Sequence, residues 1–461
     1  MVSKLNNDCL QNIFEFFETD QSTLFKCILV SRSWFEILVP YLWENPFLIV
    51  HRKGAANSKK LLTTIITMFP FDKSTEDKLN SCKYYKVTYH SFEKSFCNYL
   101  SFIKIFKSVE FHGFIDKCSR VTPWKYRPFK KYVSNGVRLP SPSCVYDEGT
   151  ISSILTHHIC DIIFKNCTKI RQIALLNISS RLMDTCSFNN FSNICQLEIG
   201  KIIYLRKIFH DCKNIKKITI NTCDGNFNNS DYLINFLRAQ QGLKAIHLLN
   251  RSNCFEFNEF GQLKRFPKEL LIQICSIEEL GIKNFMLPYG QDYILSKLKR
   301  LEITFEKWPP RVVNTFQNVS CPLLEVLIFH DSLPPLDVLA EFIENTKGHL
   351  QCLHMKLVNR EYYNTHLLLE TITKSCPKII SLSTVINITE DLILLKNLLI
   401  SCNELKNFTL VSINDMNQSF LQDQLRMINE NWDVIHERCL IREAGTRPNM
   451  WTRFNKFHIK F

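Results

Sequence analysis

From about residue 167 one apolar phrase recurs along the chain, at offsets 0, +3 and +5. It reads Ile170, Ile173, Leu175; Ile194, Leu197, Ile199; Ile215, Ile218, Ile220; Leu243, Ile246, Leu248. It continues as Ile277, Leu280, Ile282; Leu298, Leu301, Ile303; Leu324, Leu327, Phe329; Leu350, Leu353, Met355. Weaker copies stand at Ile379, Leu382 and at Leu405, Phe408, Leu410, and successive copies begin 21 to 34 residues apart. Side chains alternate along a strand, so the +3 and +5 residues of a short strand point to one side. The residue at 0 enters the same core from the preceding turn. Amphipathic stretches at 230–240, 335–345 and 364–375 lie between phrases, and in the second Leu339, Phe342 and Ile343 share a helical face. One strand and one helix cannot bury their apolar faces alone. Stacking them predicts an α/β solenoid with parallel strands on the concave side and helices outside.

The cysteines follow the same period. Cys167, Cys212, Cys321, Cys376 and Cys402 each lie three residues before a phrase, twice as a Cys-Pro pair. A small buried residue at the turn from helix to strand explains this recurrence better than redox chemistry. The pattern resembles the cysteine-containing leucine-rich repeats. The Asn or Cys that the commonest such repeat carries after its strand is irregular here, so the expected arc is uneven.

The first 43 residues carry a different period. Leu10, Ile13, Phe14 and Phe17 fall on one helical face, after the N-cap candidates Asn6, Asn7 and Asp8. Residues 20–22 offer a second helix start, ahead of Leu24, Cys27 and Ile28. Ser33 and Glu36 fit a capping box for a third helix, whose apolar side holds Val30, Trp34, Ile37, Leu38 and Tyr41. Pro40 is expected to end or distort it. Leu5, the pair Ile13-Phe14, Val30-Ser31-Arg32-Ser33-Trp34 and Leu42-Trp43 stand in the order of the F-box motif, with Asn6 where that family carries Pro. Residues 1–46 thus resemble an F-box, and the whole chain resembles the F-box/leucine-rich-repeat family. The same side chains would also serve the core of a helical cap on the array.

Between the two patterns, 47–146 is read as a connecting helical and aromatic segment with a basic insert. Helix is expected at 60–68, and aromatics crowd 91–107. The repeats are assigned to 147–440 and a basic tail to 441–461. The net charge of +13 is uneven: Lys117, Arg120, Lys125, Arg127, Lys130, Lys131 and Arg138 face Asp116 alone, and five more cations sit in the tail. The rest of the chain is close to neutral, which argues against a nucleic-acid-binding body. The run 124–132 interleaves cations with aromatics, a mix that fits base stacking or a solvated loop.

Composition excludes several classes. At 45% hydrophobic and 22% charged, with 12 Gly in 461 residues, the chain is an ordinary globular one. No uncharged apolar run is long enough to span a bilayer. Residues 1–12 lack the apolar core of a signal peptide, so an intracellular chain, cytoplasmic and/or nuclear, is expected. Nineteen cysteines in that reducing setting do not suggest a disulfide framework. No Cys-x-x-Cys pair occurs, and His157, His158 and Cys160 have no second ligand pair at matching spacing. No phosphate loop or nucleophile elbow is present, so no cofactor or catalytic residue is assigned.

The resemblance implies a non-catalytic substrate receptor of a Skp–cullin–F-box ubiquitin ligase. Its F-box would bind a Skp-type adaptor, and through it a cullin, by Leu5, Leu10, Ile13, Phe14, Leu24 and Ile28. Trp34 fits either core or interface. A protein substrate would lie on outward strand positions, which include Lys217, His247, Glu279, Arg300, Glu302 and His354. The alternative is a leucine-rich-repeat scaffold or signalling protein without ubiquitin transfer. No membrane partner is expected.

Overall fold

The structure, a computed structural model, describes residues 6–17, 20–53, 55–81, 98–120, 151–185, 191–208, 212–222, 230–250, 272–284, 293–305, 307–357, 364–387, 390–412, 440–443 and 456–460. It divides into two compact units, Met1–Lys216 with Ala239–Gly242, and Lys217–Arg238 with Leu243–Phe461. The basic run 124–132 and Leu5 lie outside the described residues.

The first unit opens with three short helices, α1 (Asn7–Glu15), α2 (Gln21–Cys27) and α3 (Arg32–Leu42). The Asp20 carboxylate accepts the Thr23 amide at 3.2 Å, and the Ser31 hydroxyl accepts the Trp34 amide at 3.2 Å. Each bond satisfies an N–H that a helix start leaves without a partner. The cap of α3 is therefore Ser31, two residues ahead of the expected box, because Ser31 has the extended backbone that a cap needs. Pro40 does not end α3, which runs on to Leu42. So near the C-terminus it forfeits one backbone bond and breaks nothing beyond it. Leu10, Phe14, Leu24, Leu38 and Leu42 close a core, with Cys27, Ile28, Trp34, Ile37 and Trp43 packed at its edge. Phe14 meets Trp34 edge-on at 5.1 Å.

Helices Pro46–Lys53, Ala55–Met68 and Lys73–Ser81 follow. The strand array then begins earlier than expected, inside the segment read as a connector. β1 (Ile105–Lys107) pairs in parallel with β2 (Gln172–Leu175), and β2 with β3 (Gln196–Ile199). Register sets Phe106 opposite Ile173, so Ile103, Phe106 and Ser108 form a phrase with a polar third member. Ser108 is fully buried. Its hydroxyl donates to the Leu176 carbonyl at 2.6 Å and accepts the Leu176 amide at 2.8 Å, which offsets the cost of burying it. A search for apolar triplets passes over such a copy.

Within this unit the helical opening is tied to the strands. The Glu44 carbonyl accepts the amides of both Lys104 and Ile105 at 3.1 Å. Trp43 stacks on Tyr99 at 4.8 Å, Phe47 meets Phe106 and Phe111, and Phe106, Phe164 and Phe191 continue the chain of rings. Such pairs add to what the buried area alone contributes.

The second unit holds β4 (Lys217–Thr222), β5 (Ala245–Asn250), β6 (Glu279–Lys283), β7 (Tyr293–Ile294), β8 (Arg300–Phe305), β9 (Val319–Ser320) and β10 (Val326–Asp331). It continues with β11 (Cys352–Leu357), β12 (Ser381–Ile386), β13 (Asn407–Ser412), β14 (Leu440–Glu443) and β15 (Lys456–Lys460). Among the described residues, β4, β5, β6, β8, β10, β11, β12 and β13 pair in parallel in that order, while β7 and β9 form a separate pair. β15 and then β14 continue the sheet antiparallel. Part of the stretch read as a basic tail is thus a strand that covers the edge of β13, a common way to close a sheet.

The phrase is the register. Ile218, Ile246, Leu280, Leu301, Leu327, Leu353, Leu382 and Phe408 stand in one row across the eight strands. Every member of that row is buried. Helices Ser230–Arg238, Leu336–Glu344 and Thr365–Ser375 stand where the amphipathic stretches predict them. Phe316 stacks on Phe342 at 4.3 Å and lies edge-on to Phe329 at 6.3 Å, so these helical residues cover the apolar side of the sheet. Parallel strands with helices along one side, repeated in register, make an α/β solenoid-like arrangement.

The periodic cysteines occupy the predicted turns. Cys167, Cys212, Cys321, Cys376 and Cys402 are all buried. The amides of Cys167, Cys212, Cys376 and Cys402 donate four residues back and end the preceding helical turn. The carbonyls of Cys321, Cys376 and Cys402 accept the amide of the first phrase residue, three positions on. Burial pushes the thiols of Cys167, Cys321 and Cys376 up to about 12, so none supplies a thiolate at neutral pH.

Candidate binding surfaces

In the second unit the +3 and +5 positions face the helices, so +2, +4 and +6 face the other way. In register, the +2 row runs Lys217, Ala245, Glu279, Arg300, Val326, Cys352, Ser381. The +4 row runs Thr219, His247, Gly281, Glu302, Ile328, His354. The +6 row holds Asn221, Leu249, Lys283, Thr304 and His330. All six outward residues named from the sequence therefore share this face, and most of them interact in two linked groups.

The first group centres on Glu279. Lys217 Nζ donates to its Oε1 at 2.8 Å, and His247 Nε2 lies 2.6 Å from the same atom. The ring of His247 rests over Gly281, where an added Cβ would stand 2.7 Å from its Nδ1. A glycine at +4 is what admits the ring. Burial opposes the Glu279 charge, but the bonds from Lys217 and His247 outweigh it and hold the carboxyl below its ordinary value. Burial, with the Lys217 ammonium behind it, lowers His247. This imidazole stays neutral at pH 7 and fits the Nε2–H tautomer, donating to Glu279.

The second group centres on Glu302. His330 Nε2 lies 2.9 Å from its Oε1, and Arg300 Nη2 is 3.7 Å from its Oε2. The hydrogen bond to His330 brings this carboxyl down to about 2, against the opposing effect of burial. His354 lies 2.8 Å from the Ser381 hydroxyl. The sequence reading stopped at +4 and so missed His330 and Lys283. Carrying the alternation one position further would have found both.

The N-terminal helices present a second surface. Leu10, Phe14 and Leu24, expected at the adaptor interface, lie inside the small core at 4%, 2% and 3% exposure, which corrects that assignment. Three helices of 7 to 11 residues need those side chains to hold together. Ile28 is half-buried against the same core, and Trp34 packs there too. Ile13 alone of the described candidates is largely exposed, and Phe16, Phe17, Phe25, Leu29 and Val30 join it. Phe16 is 87% exposed and Leu29 83%. Their positions just past the apolar periodicity of α1 and α2 were the available signal.

Among the described residues no three His, Cys, Asp or Glu side chains are placed to hold a metal ion, and His158 instead packs on Phe71. No helix among them is long and apolar enough to cross a membrane. No protein-family model matches this chain, and no curated protein does. A crystal structure of a protein from Bacteroides fragilis is similar at 16% identity and TM-score 0.36, over 49% of this chain and 67% of that one; a likeness this slight carries no functional argument.

Proposed function

We propose that the chain is a substrate receptor of a Skp–cullin–F-box ubiquitin ligase. The N-terminal helices are its F-box, the strand–helix units are its leucine-rich repeats, and it has no catalytic role of its own. The observation that carries the reading is the uncovered apolar set on a closed three-helix core. Six large exposed apolar residues fall between 13 and 30, while five buried ones seal the core beneath them. Exposed clusters of that kind mark protein interaction sites. A Skp-type adaptor would cover them and bring a cullin. A substrate held on the outward face of the second unit would then sit near a charged conjugating enzyme at raised effective concentration. A scaffold without ubiquitin transfer would use the same repeats, but it gives no reason for large exposed apolar side chains such as Phe16, Leu29 and Val30.

The test is capture of the full chain on an immobilised Skp-type adaptor. Ile13→Lys with Phe17→Lys should abolish capture while the circular dichroism melt of the chain is kept. Capture that survives both charges, with the fold intact, would remove the adaptor reading.

A further inference from the structure

We propose that the outward face of the second unit receives an extended acidic peptide segment. The inference rests on the substrate-receptor reading and narrows it to one chemical class. Among the described residues the +2, +4 and +6 rows carry three formal cations, Lys217, Lys283 and Arg300, against two carboxylates, Glu279 and Glu302. Both carboxylates already have partners within the face. Glu279 accepts from Lys217 and lies against His247, while Glu302 lies against His330 and near Arg300. A basic ligand would have to displace those bonds to find a carboxylate.

The cations are less fully matched. Among the described residues Lys283 has no ion-pair partner, and Arg300 keeps one loose contact at 3.7 Å. Lys283 and Arg300 stand on adjacent strands, and Lys283 lies opposite Thr304, so the two are about 14 Å apart at the usual strand rise and spacing. An extended chain covers that distance in about four residues. The surface therefore suits carboxylates spaced four apart, one to meet Lys283 and one to meet Arg300. No large apolar side chain is exposed on these rows, so charge and hydrogen bonding would set selectivity.

The experiment measures fluorescence anisotropy of labelled peptides with the full chain. One peptide is a Gly-Ser sequence with Glu at every fourth position; the second replaces each Glu by Gln; a single-stranded oligothymidylate is the third probe. The Glu peptide should bind, the Gln peptide should not, and added salt should weaken the complex. Lys283→Glu with Arg300→Glu should weaken it by at least about tenfold. If that pair impairs folding, Lys283→Gln alone should still give a smaller loss in the same direction. Equal binding of the Gln peptide, no binding of the Glu peptide, or full binding by folded charge variants overturns the proposal. So does an oligothymidylate that binds more tightly and is lost by the same variants. Adaptor capture is read on the same protein. Capture kept with no Glu-peptide binding removes only the acidic class, whereas capture lost with Glu-peptide binding kept removes the ligase reading and leaves the surface.

Discussion

The N-terminal helices and the outward sheet face leave side chains half-covered for opposite reasons. On the helices the core is complete and the surplus is apolar: Phe16, Leu29 and Val30 stand in solvent. On the sheet face the surplus is charged, and each carboxylate is answered by neighbouring strands of the same sheet. Uncovered apolar area gains about 25 cal/mol per Å² when something covers it, without regard to direction. A paired polar face gains little from any one ligand, but it penalises ligands that leave its charges unmatched. On the proposed reading, the first surface would supply affinity for a constant partner and the second would choose among ligands.

The sharpest way to break this comparison is inside the small core. Phe14→Ala should cost about 3–5 kcal/mol, the usual loss for a buried phenylalanine. The three helices have little else to hold them, so hydrogen-exchange protection over 7–42 should collapse in the full chain. Phe16→Ala, two residues on, should stay within about 0.5 kcal/mol, as exposed substitutions do. Equal losses at both positions would mean that the core and the exposed apolar residues are not separate.

Phe14 and Phe16 also show where sequence reading stops. The repeat was legible because one row of every strand must be buried, and the row from Ile218 to Phe408 is that requirement written out. The cysteines were legible because the turn needs a small residue at a fixed distance from the strand. In the N-terminal module the helical period located the apolar side but could not divide it between core and interface. That division depends on which of Ile13, Phe14 and Phe17 the other two helices cover. β1 escaped because Ser108 replaces an apolar residue and relies on a backbone partner 68 positions away. The pairs on Glu279 and Glu302 join strands 28 to 62 residues apart, and no local pattern announces them.

A smaller effect tests the charged face. Glu302 titrates at about 2 in the folded chain instead of its ordinary 4.5, held down first by His330. A depressed carboxyl contributes its stability in full above the ordinary value and loses it as pH falls toward the folded one. The stability difference between the natural chain and Glu302→Gln should therefore be steady near neutrality and shrink as pH falls from 4.5 to about 2. Urea unfolding across that window reads it. A difference that does not change with pH would show that His330 does not hold the carboxylate.

The smallest expected effect is the most local. Gly281→Ala places a Cβ 2.7 Å from His247 Nδ1 and 2.9 Å from its Cγ, so the ring has to swing away. It then gives up its 2.6 Å contact with Glu279. One such hydrogen bond contributes about 0.5–1.5 kcal/mol net, so the fold survives and the melt falls slightly. The imidazole reports more than the melt does. Burial is the main cause that lowers its titration, ahead of Lys217, so a ring swung toward solvent should titrate higher in the alanine variant, as read by nuclear magnetic resonance. Losing Glu279 acts the other way, through a hydrogen bond and a charge that are each a smaller cause than burial. In a His247→Ala background the same glycine change should be close to neutral, since the ring it displaces is gone. If Gly281→Ala costs as much there as in the natural chain, the glycine serves the strand backbone and His247 holds its place without it.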